Sequence, residues 1–333
     1  MALLRAGLLL CAFLGAAIVW GAFPHNLDPL FHGRVYEYPL DDAQWLSPAA
    51  FVPEAGLVYC DISKVASAEW KRVLRWMLGI PEWEEERHLH DPKLNGIPLL
   101  EKETAARARS ILNDRDWVKI LLVRDPVERA LSGFLNKCLG EAFAWQNCAL
   151  SQVPEIVPGL QARSFARLTE QERVARDRHE SNTFQKYARN HPKRAFLLFA
   201  KAVAMEIGEN GEDEYCGDIN KHYRPQHCFC GLSSHGYLPA FQVIRFDNMT
   251  EESVAAMEAL RLPTDARREE LVRFVKQRFS RDSDTAKKQT DASAATVQSA
   301  HMSPGAEEIL RRAYTKDYKF FRPWLPSSPQ GAT

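Results

Sequence analysis

The chain has 333 residues, with 43 basic and 43 acidic side chains and a formal net charge of +0. Without a basic excess it does not read as a nucleic-acid binder. A 45% hydrophobic fraction with a mean hydropathy of −0.35 excludes a polytopic membrane protein.

The opening stretch, "MALLRAGLLLCAFLGAAIVWGAF", carries Arg5 and no further charge until Asp28. That run is long enough to cross a bilayer. A cleaved signal peptide would use the small residues of "LGAAIVWGA" as its cleavage site. A signal anchor over residues 1–23 is the favoured reading, because the apolar core outlasts a usual signal-peptide core; Arg5 then stays in the cytosol. Both readings send the rest of the chain into the secretory lumen; the bland alternative is a buried N-terminal helix.

Residues 24–55, rich in Pro, Asp and aromatics, read as a stem and lead-in. Leu57 to Ile62 reads as a short buried strand. Trp70, Val73, Leu74, Met77 and Leu78 recur at helical spacing and mark one face of a helix, which Gly79 and Pro81 stop. Residues 82–99 read as an irregular charged loop, and Glu101 to Leu112 as a helix. "WVKILLV", Trp117 to Val123, is the clearest strand in the chain. Val127, Ala130, Leu131, Phe134 and Cys138 then define a second amphipathic helix, with Pro126 in its first turn.

The middle, about 140–235, reads as mostly helix and loop: a charge-dense, solvated helix within 164–190 and an apolar, core-packing one from Phe196 to Ile207. Phe241 to Phe246 returns to a strand pattern. "MTEESVAAMEAL" reads as a helix with a threonine cap. Residues 281–300 read as a flexible loop, and "GAEEILRRAYTKDYKFF" as a last helix. Two strand-turn-helix units with further helices fit a three-layer α/β domain, its parallel sheet covered on both faces.

Cysteine usage suits an oxidising compartment. Cys60, in the first strand, reads as a buried thiol. Cys138, Cys148, Cys216, Cys228 and Cys230 lie in or beside polar sequence, and Cys138–Cys148 and Cys216 with Cys228 or Cys230 are disulfide candidates. A zinc site from Cys228, Cys230, His222 and His227 is disfavoured, because the cysteine spacing is too tight and a second pair is missing. Asn248-Met249-Thr250 is a glycosylation sequon.

Chemistry is concentrated in two segments. In "YCDISKVASAEWKRVL" a strand runs through a glycine-free turn into a helix. Lys64 sits in the turn, Ser67 reads as the N-cap, and the amides that follow open the helix, where free N–H groups and the dipole bind anions. In "VRDPVERALSGF", Arg124 emerges at a strand's C-terminal end, where open α/β sheets bind ligands, and Ser132 lies two turns into the following helix. A guanidinium fork plus a hydroxyl suits a phosphate. The bland readings are a capped helix with a surface lysine, and an arginine paired with its neighbours. Together the two segments suggest a ligand with two separated phosphates.

"SKVASAEWKRVL" followed by "LLVRDPVERALSGFLNKC" resembles the paired signatures of the Golgi carbohydrate sulfotransferases that include the HNK-1 and chondroitin/dermatan 4-O-sulfotransferases. "KHYRPQHCFC" is similar to a family H-W-x-P-x element, and "AYTKDYKFF" to its C-terminal Y-x-x-D-[FY]-x-x-F. The resemblance implies a three-layer, P-loop-like α/β sulfotransferase fold over residues 56–325, with 326–333 as a tail. It implies 3′-phosphoadenosine 5′-phosphosulfate as donor, no metal, and a carbohydrate acceptor such as a glycosaminoglycan or glycoprotein glycan. It also implies a single-pass type II protein of the Golgi membrane with a lumenal catalytic domain.

By position, the resemblance assigns Lys64 to the breaking sulfuryl-bridging oxygen. Ser67 and the amides of Ala68, Glu69 and Trp70 fall to the 5′-phosphate, and Arg124 and Ser132 to the 3′-phosphate. His90 and His222 are the candidate bases for the acceptor hydroxyl. Departures from the family pattern cluster in the first signature: Ser63 stands for proline, Ala68 for threonine, and Glu69 for asparagine or glutamine. Ala68 lacks a hydroxyl that would donate to the 5′-phosphate, which leaves a catalytically inactive lumenal binding protein as the alternative. A nucleotide kinase of the same broad fold is disfavoured by the missing glycine-rich loop.

Overall fold

The structure, a computed structural model, describes residues 48–85, 88–89, 94–140, 142–151, 157, 169–210, 219–233, 236–280 and 294–325. Among them a four-stranded sheet runs in the order β1 (Ala49–Val52), β2 (Leu57–Cys60), β3 (Val118–Val123), β4 (Gln242–Arg245). β2, β3 and β4 are parallel, with Cys60 opposite Leu121 and Val123 opposite Arg245. β1 pairs antiparallel with β2, so the sheet is mixed. β1 lies in the stretch read as lead-in; four residues are too few for periodicity to separate a strand from extended loop.

β1 and β2 are buried along their whole length, as is β3 beyond its first residue, the pattern of strands covered on both faces. Helix α1 (Ser67–Met77) and helix α2 (Ala105–Asn113) lie between β2 and β3. Helices α3 (Pro126–Lys137), α4 (Glu170–Asn190) and α5 (Pro192–Asn210) lie between β3 and β4. After β4 come α6 (Met249–Glu258), α7 (Asp265–Phe279), α8 (Ala294–His301), α9 (Pro304–Ala313) and α10 (Thr315–Phe320).

Two apolar regions hold these layers together. Trp70 of α1 is fully buried between Tyr59 of β2, stacked at 5.3 Å, and Phe279 of α7 at 5.4 Å. A larger helical core centres on Phe134 of α3, whose ring meets Phe184 of α4 and Phe196 and Phe199 of α5 at 5.2–6.1 Å. α4 is therefore not solvated all round: Phe184, Glu180 and Ser181 are buried on its inner face.

Several local expectations are revised. Cys60 is no free thiol but is bridged to Cys230, 170 residues away. The strand pattern that marked Cys60 as buried carries no information about a partner so distant in sequence. Cys138–Cys148 is bridged as expected. Cys228 is also disulfide-bonded, and Cys216 lies outside the described residues. With both sulfurs of Cys228 and Cys230 in disulfides, they supply no thiolate to a zinc ion.

The cap of α6 is Asn248, without a side-chain cap bond. Thr250, read as that cap, lies inside the helix and donates instead to Phe279 O at 2.8 Å. Residues 294–300 of the stretch read as flexible loop belong to α8, which runs to His301, and the last helix is two, broken at Tyr314. No helix among the described residues is long and apolar enough to cross a membrane; residues 1–23 lie outside them.

Candidate active site at the carboxyl ends of β2 and β3

Adjacent parallel strands deliver two loops to one edge of the sheet. The first, Asp61–Ala66, turns from β2 into α1 without glycine, yet Lys64 and Ala66 both adopt left-handed backbone, with φ of 70° and 61°. Each such residue costs about 1–2 kcal/mol relative to right-handed backbone. Ala66, not Ser67, takes the N-cap position, without a side-chain cap bond. Ser67 is the first helical residue, because the left-handed kink at Ala66 completes the turn one residue early.

The first helical N–H to find a backbone acceptor is that of Trp70, which donates to Ala66 O at 3.0 Å. Helix geometry leaves the N–H groups of Ser67, Ala68 and Glu69 pointing out of the helix start without an intrahelical acceptor. The expected role of the Trp70 amide is thus revised: its N–H is spent within α1 and its indole is core.

The second loop, Arg124–Asp125, turns from β3 into α3. Asp125 caps the helix by accepting from the amides of Val127 and Glu128 at 2.9 and 3.1 Å. The Arg124 backbone is clamped by the buried Gln226 side chain: its N–H donates to Oε1 at 3.1 Å and its carbonyl accepts from Nε2 at 2.9 Å. The Arg124 guanidinium lies 4.4 Å from the Phe246 ring and makes a long 3.4 Å contact with Glu128. Ser132 is half-buried two turns along α3.

Arg129, fully buried on α3, joins the two loops to a third segment. Its Nη1 donates to Ser63 O at 3.1 Å, in the Lys64 turn, and its Nη2 to Arg224 O. Its Nε has no hydrogen-bond partner among the described residues. The third segment carries His222, whose carbonyl packs on Gly133 of α3 so closely that a Cβ there would sit 3.2 Å from the oxygen. His222 Nδ1 is buried and likewise without a partner.

The electrostatics of this corner are one-sided. Burial pushes the Lys64 ammonium down to about 7, and Lys137, Arg124 and Arg129 push the same way. Burial, then Lys137, Lys64, Lys221 and Arg129, hold the His222 imidazole well below the usual histidine range, so it is neutral. Lys137 is lowered by burial and by Lys221. Convergent cations that depress one another stabilise an incoming anion.

Glu69 does not intrude on this field. It turns into an ion-pair group with Arg72 at 2.5 Å and with Arg278 of α7.

A sequence profile of the sulfotransferase family matches residues 48–322. The chain belongs to the sulfotransferase family. It is 34% identical over 84 residues to carbohydrate sulfotransferase 10 of Homo sapiens and 36% over 84 residues to that of Pongo abelii, in each case 24% of this chain and 23% of the relative. It is 36% identical over 90 residues to carbohydrate sulfotransferase 14 of Mus musculus, 27% of this chain and 23% of the relative. The chain thus matches about a quarter of the length of these curated relatives. No solved structure matches it.

This corner brings together Lys64, Ser67, Ala68, Arg124, Ser132 and His222 from the sequence-derived set, and leaves out the Trp70 and Glu69 side chains. His90 lies outside the described residues. Asn248 is remote in role: its Nδ2 donates to Glu252 at 3.0 Å beside β4.

Sequence reasoning missed Arg129, Gln226 and Asp317, and also Asn136, whose Oδ1 accepts from Lys64 Nζ at 2.5 Å. Arg129 lies inside the "RDPVERA" signature and its burial was the missing information. Asp317 is fully buried and holds the third segment, accepting from the amides of Gln226 at 2.8 Å and His227 at 2.9 Å and lying 2.6 Å from His227 Nδ1. Two tyrosines flank it: Tyr314 donates to Tyr223 O at 2.6 Å, and Tyr318 to Asp125 Oδ2 at 2.9 Å. The signal available was the "YTKDY" stretch, whose function in the fold is this brace.

Proposed function

We propose that this sulfotransferase transfers a sulfuryl group from 3′-phosphoadenosine 5′-phosphosulfate to a carbohydrate hydroxyl. The observation that carries the reading is the pair of loops on adjacent parallel strands, one with Lys64 before a helix start and one with Arg124, followed by Ser132 in its helix. The amides of Ser67, Ala68 and Glu69, with the Ser67 hydroxyl, hold the 5′-phosphate. Arg124 and Ser132 hold the 3′-phosphate. His222 takes the proton of the acceptor hydroxyl as its oxygen bonds to sulfur. Lys64 donates to the bridging oxygen as the sulfur–oxygen bond breaks, and the 3′,5′-bisphosphate nucleotide leaves. As in phosphoryl transfer, the protein's task is positioning and charge stabilisation.

His222 is preferred to His90 as the base because its unpartnered ring nitrogen lies in the same cationic corner as Lys64. It is neutral in the absence of donor, and the donor's negative charge raises its basicity. The N-terminal apolar run anchors the catalytic domain in the lumen of the Golgi, and the acceptor is a glycosaminoglycan or glycoprotein glycan. A second reading, a binding protein without turnover, is favoured by Ala68 alone.

Transfer of radiolabelled sulfate from the donor to a panel of glycans tests the reading. Incorporation is expected with at least one acceptor. Tight binding of the desulfated nucleotide with no incorporation on any glycan selects the second reading. Arg124→Ala should weaken nucleotide binding about 100-fold or more. Lys64→Ala should lower turnover about 10²–10³-fold, the loss typical of removing one transition-state donor. An Arg124→Ala protein that binds the nucleotide normally would sink the 3′-phosphate assignment.

A further inference from the structure

Lys64 reaches across the site to α3. Its Nζ donates to Asn136 Oδ1 at 2.5 Å, between residues 72 apart in sequence. Asn136 lies four residues after Ser132, one helical turn further along the same face. One face of α3 thus carries the hydroxyl assigned to one phosphate and the amide that receives the lysine assigned to the other. The groups that act electrostatically on Lys64 are all basic: Lys137 from α3, and Arg124 and Arg129 from the start of that helix. His222, from the third segment, is neutral and is itself depressed by Lys64. No carboxylate acts on the ammonium among the described residues, and Asn136 is the acceptor it finds there.

We propose that Asn136 is a positioning residue for Lys64, a neutral acceptor that holds the ammonium over the site between turnovers and releases it to the donor. The choice of amide over acid is what makes release easy. A carboxylate at 136 would hold the lysine as an ion pair and would repel the donor phosphates. An apolar residue would leave the ammonium among like charges with no acceptor, and its charged form would become harder to keep. The amide does neither: it satisfies one N–H and adds no net charge.

This inference rests on the proposed function only for the role of Lys64, so the test uses a readout that does not need an acceptor sugar. The reactivity of the Lys64 amine toward an acylating reagent is followed against pH by mass spectrometry of the full chain. The wild-type protein, Asn136→Asp and Asn136→Ala are compared. Asn136→Asp should move the Lys64 titration up by about one pH unit or more, and Asn136→Ala should move it down. Binding of 3′-phosphoadenosine 5′-phosphate should weaken roughly tenfold in Asn136→Asp, through repulsion.

Asn136 is exposed on its helix, so both variants should melt with the wild type. An unmoved Lys64 titration in both variants overturns the positioning assignment and leaves the proposed function standing. Normal sulfate transfer by Lys64→Ala instead overturns the role of Lys64 itself, whatever the variants at 136 do.

Discussion

Ala68 is half-buried at the second position of α1, where the helix start offers its free amides. The family pattern places a threonine there, whose hydroxyl would add one charge-assisted hydrogen bond to the 5′-phosphate, worth about 1.5–3 kcal/mol. Threonine costs about 0.5 kcal/mol of helix propensity against alanine. Ala68→Thr should therefore tighten binding of 3′-phosphoadenosine 5′-phosphate by roughly tenfold or more, with little change in stability. Isothermal titration measures this directly; an unchanged affinity would mean that Ser67 already supplies the missing donor. The neighbouring Glu69 shows how far the sequence reaches at this scale. Its charge and its position in the first turn are legible. Its direction is not, because it is fixed by Arg278, 209 residues later.

At the scale of elements, the strand-turn-helix units were legible because each is specified locally. A buried apolar run, a proline in the first turn and a 3.6-residue apolar stripe define β3 and α3 without reference to the rest of the chain. What joins the units was not legible, because it is made of single polar contacts between distant residues. Gln226 clamps Arg124 across 102 residues, and Asp317 holds Gln226 across 91. α10 therefore acts as a strut under the loop that carries Arg124. Asp317→Ala removes an acceptor from two buried amides and a buried imidazole, each costing about 1–3 kcal/mol when left unpaired. The variant should lose about 3 kcal/mol or more in urea unfolding. Under native conditions it should also bind the nucleotide more weakly, because the Gln226 clamp on Arg124 is no longer held. Weakened stability with unchanged nucleotide affinity would confine Asp317 to the fold and refute the strut.

At the scale of the whole molecule, a net charge of zero conceals a strong local imbalance. The 43 basic and 43 acidic groups cancel in sum, while Lys64, Arg124, Arg129, Lys137 and Lys221 converge on one corner. Composition records the sum, and only the fold records the distribution. The disulfides follow the same logic. Cys138–Cys148 spans 10 residues and was legible as a local pair; Cys60–Cys230 spans 170 and was not. Yet the long bridge does more for the site, since it fixes the end of β2 directly before the Lys64 turn to the segment that follows His222 and Gln226. A cross-link closing so long a loop stabilises by about 2–5 kcal/mol, chiefly by restricting the unfolded chain. The double variant Cys60→Ala/Cys230→Ala should therefore unfold at lower denaturant under oxidising conditions, by an amount in that range. Reductant should bring the wild-type protein down by at least that amount, since it also opens Cys138–Cys148 and the Cys228 disulfide, and leave the double variant less affected. Nucleotide affinity should fall in parallel, because the turn that carries Lys64 and the segment that clamps Arg124 lose their common tether. Thiol labelling of the denatured, unreduced wild-type protein that finds Cys60 and Cys230 free would show that the two cysteines are not bridged, and that the sheet edge is held by packing alone.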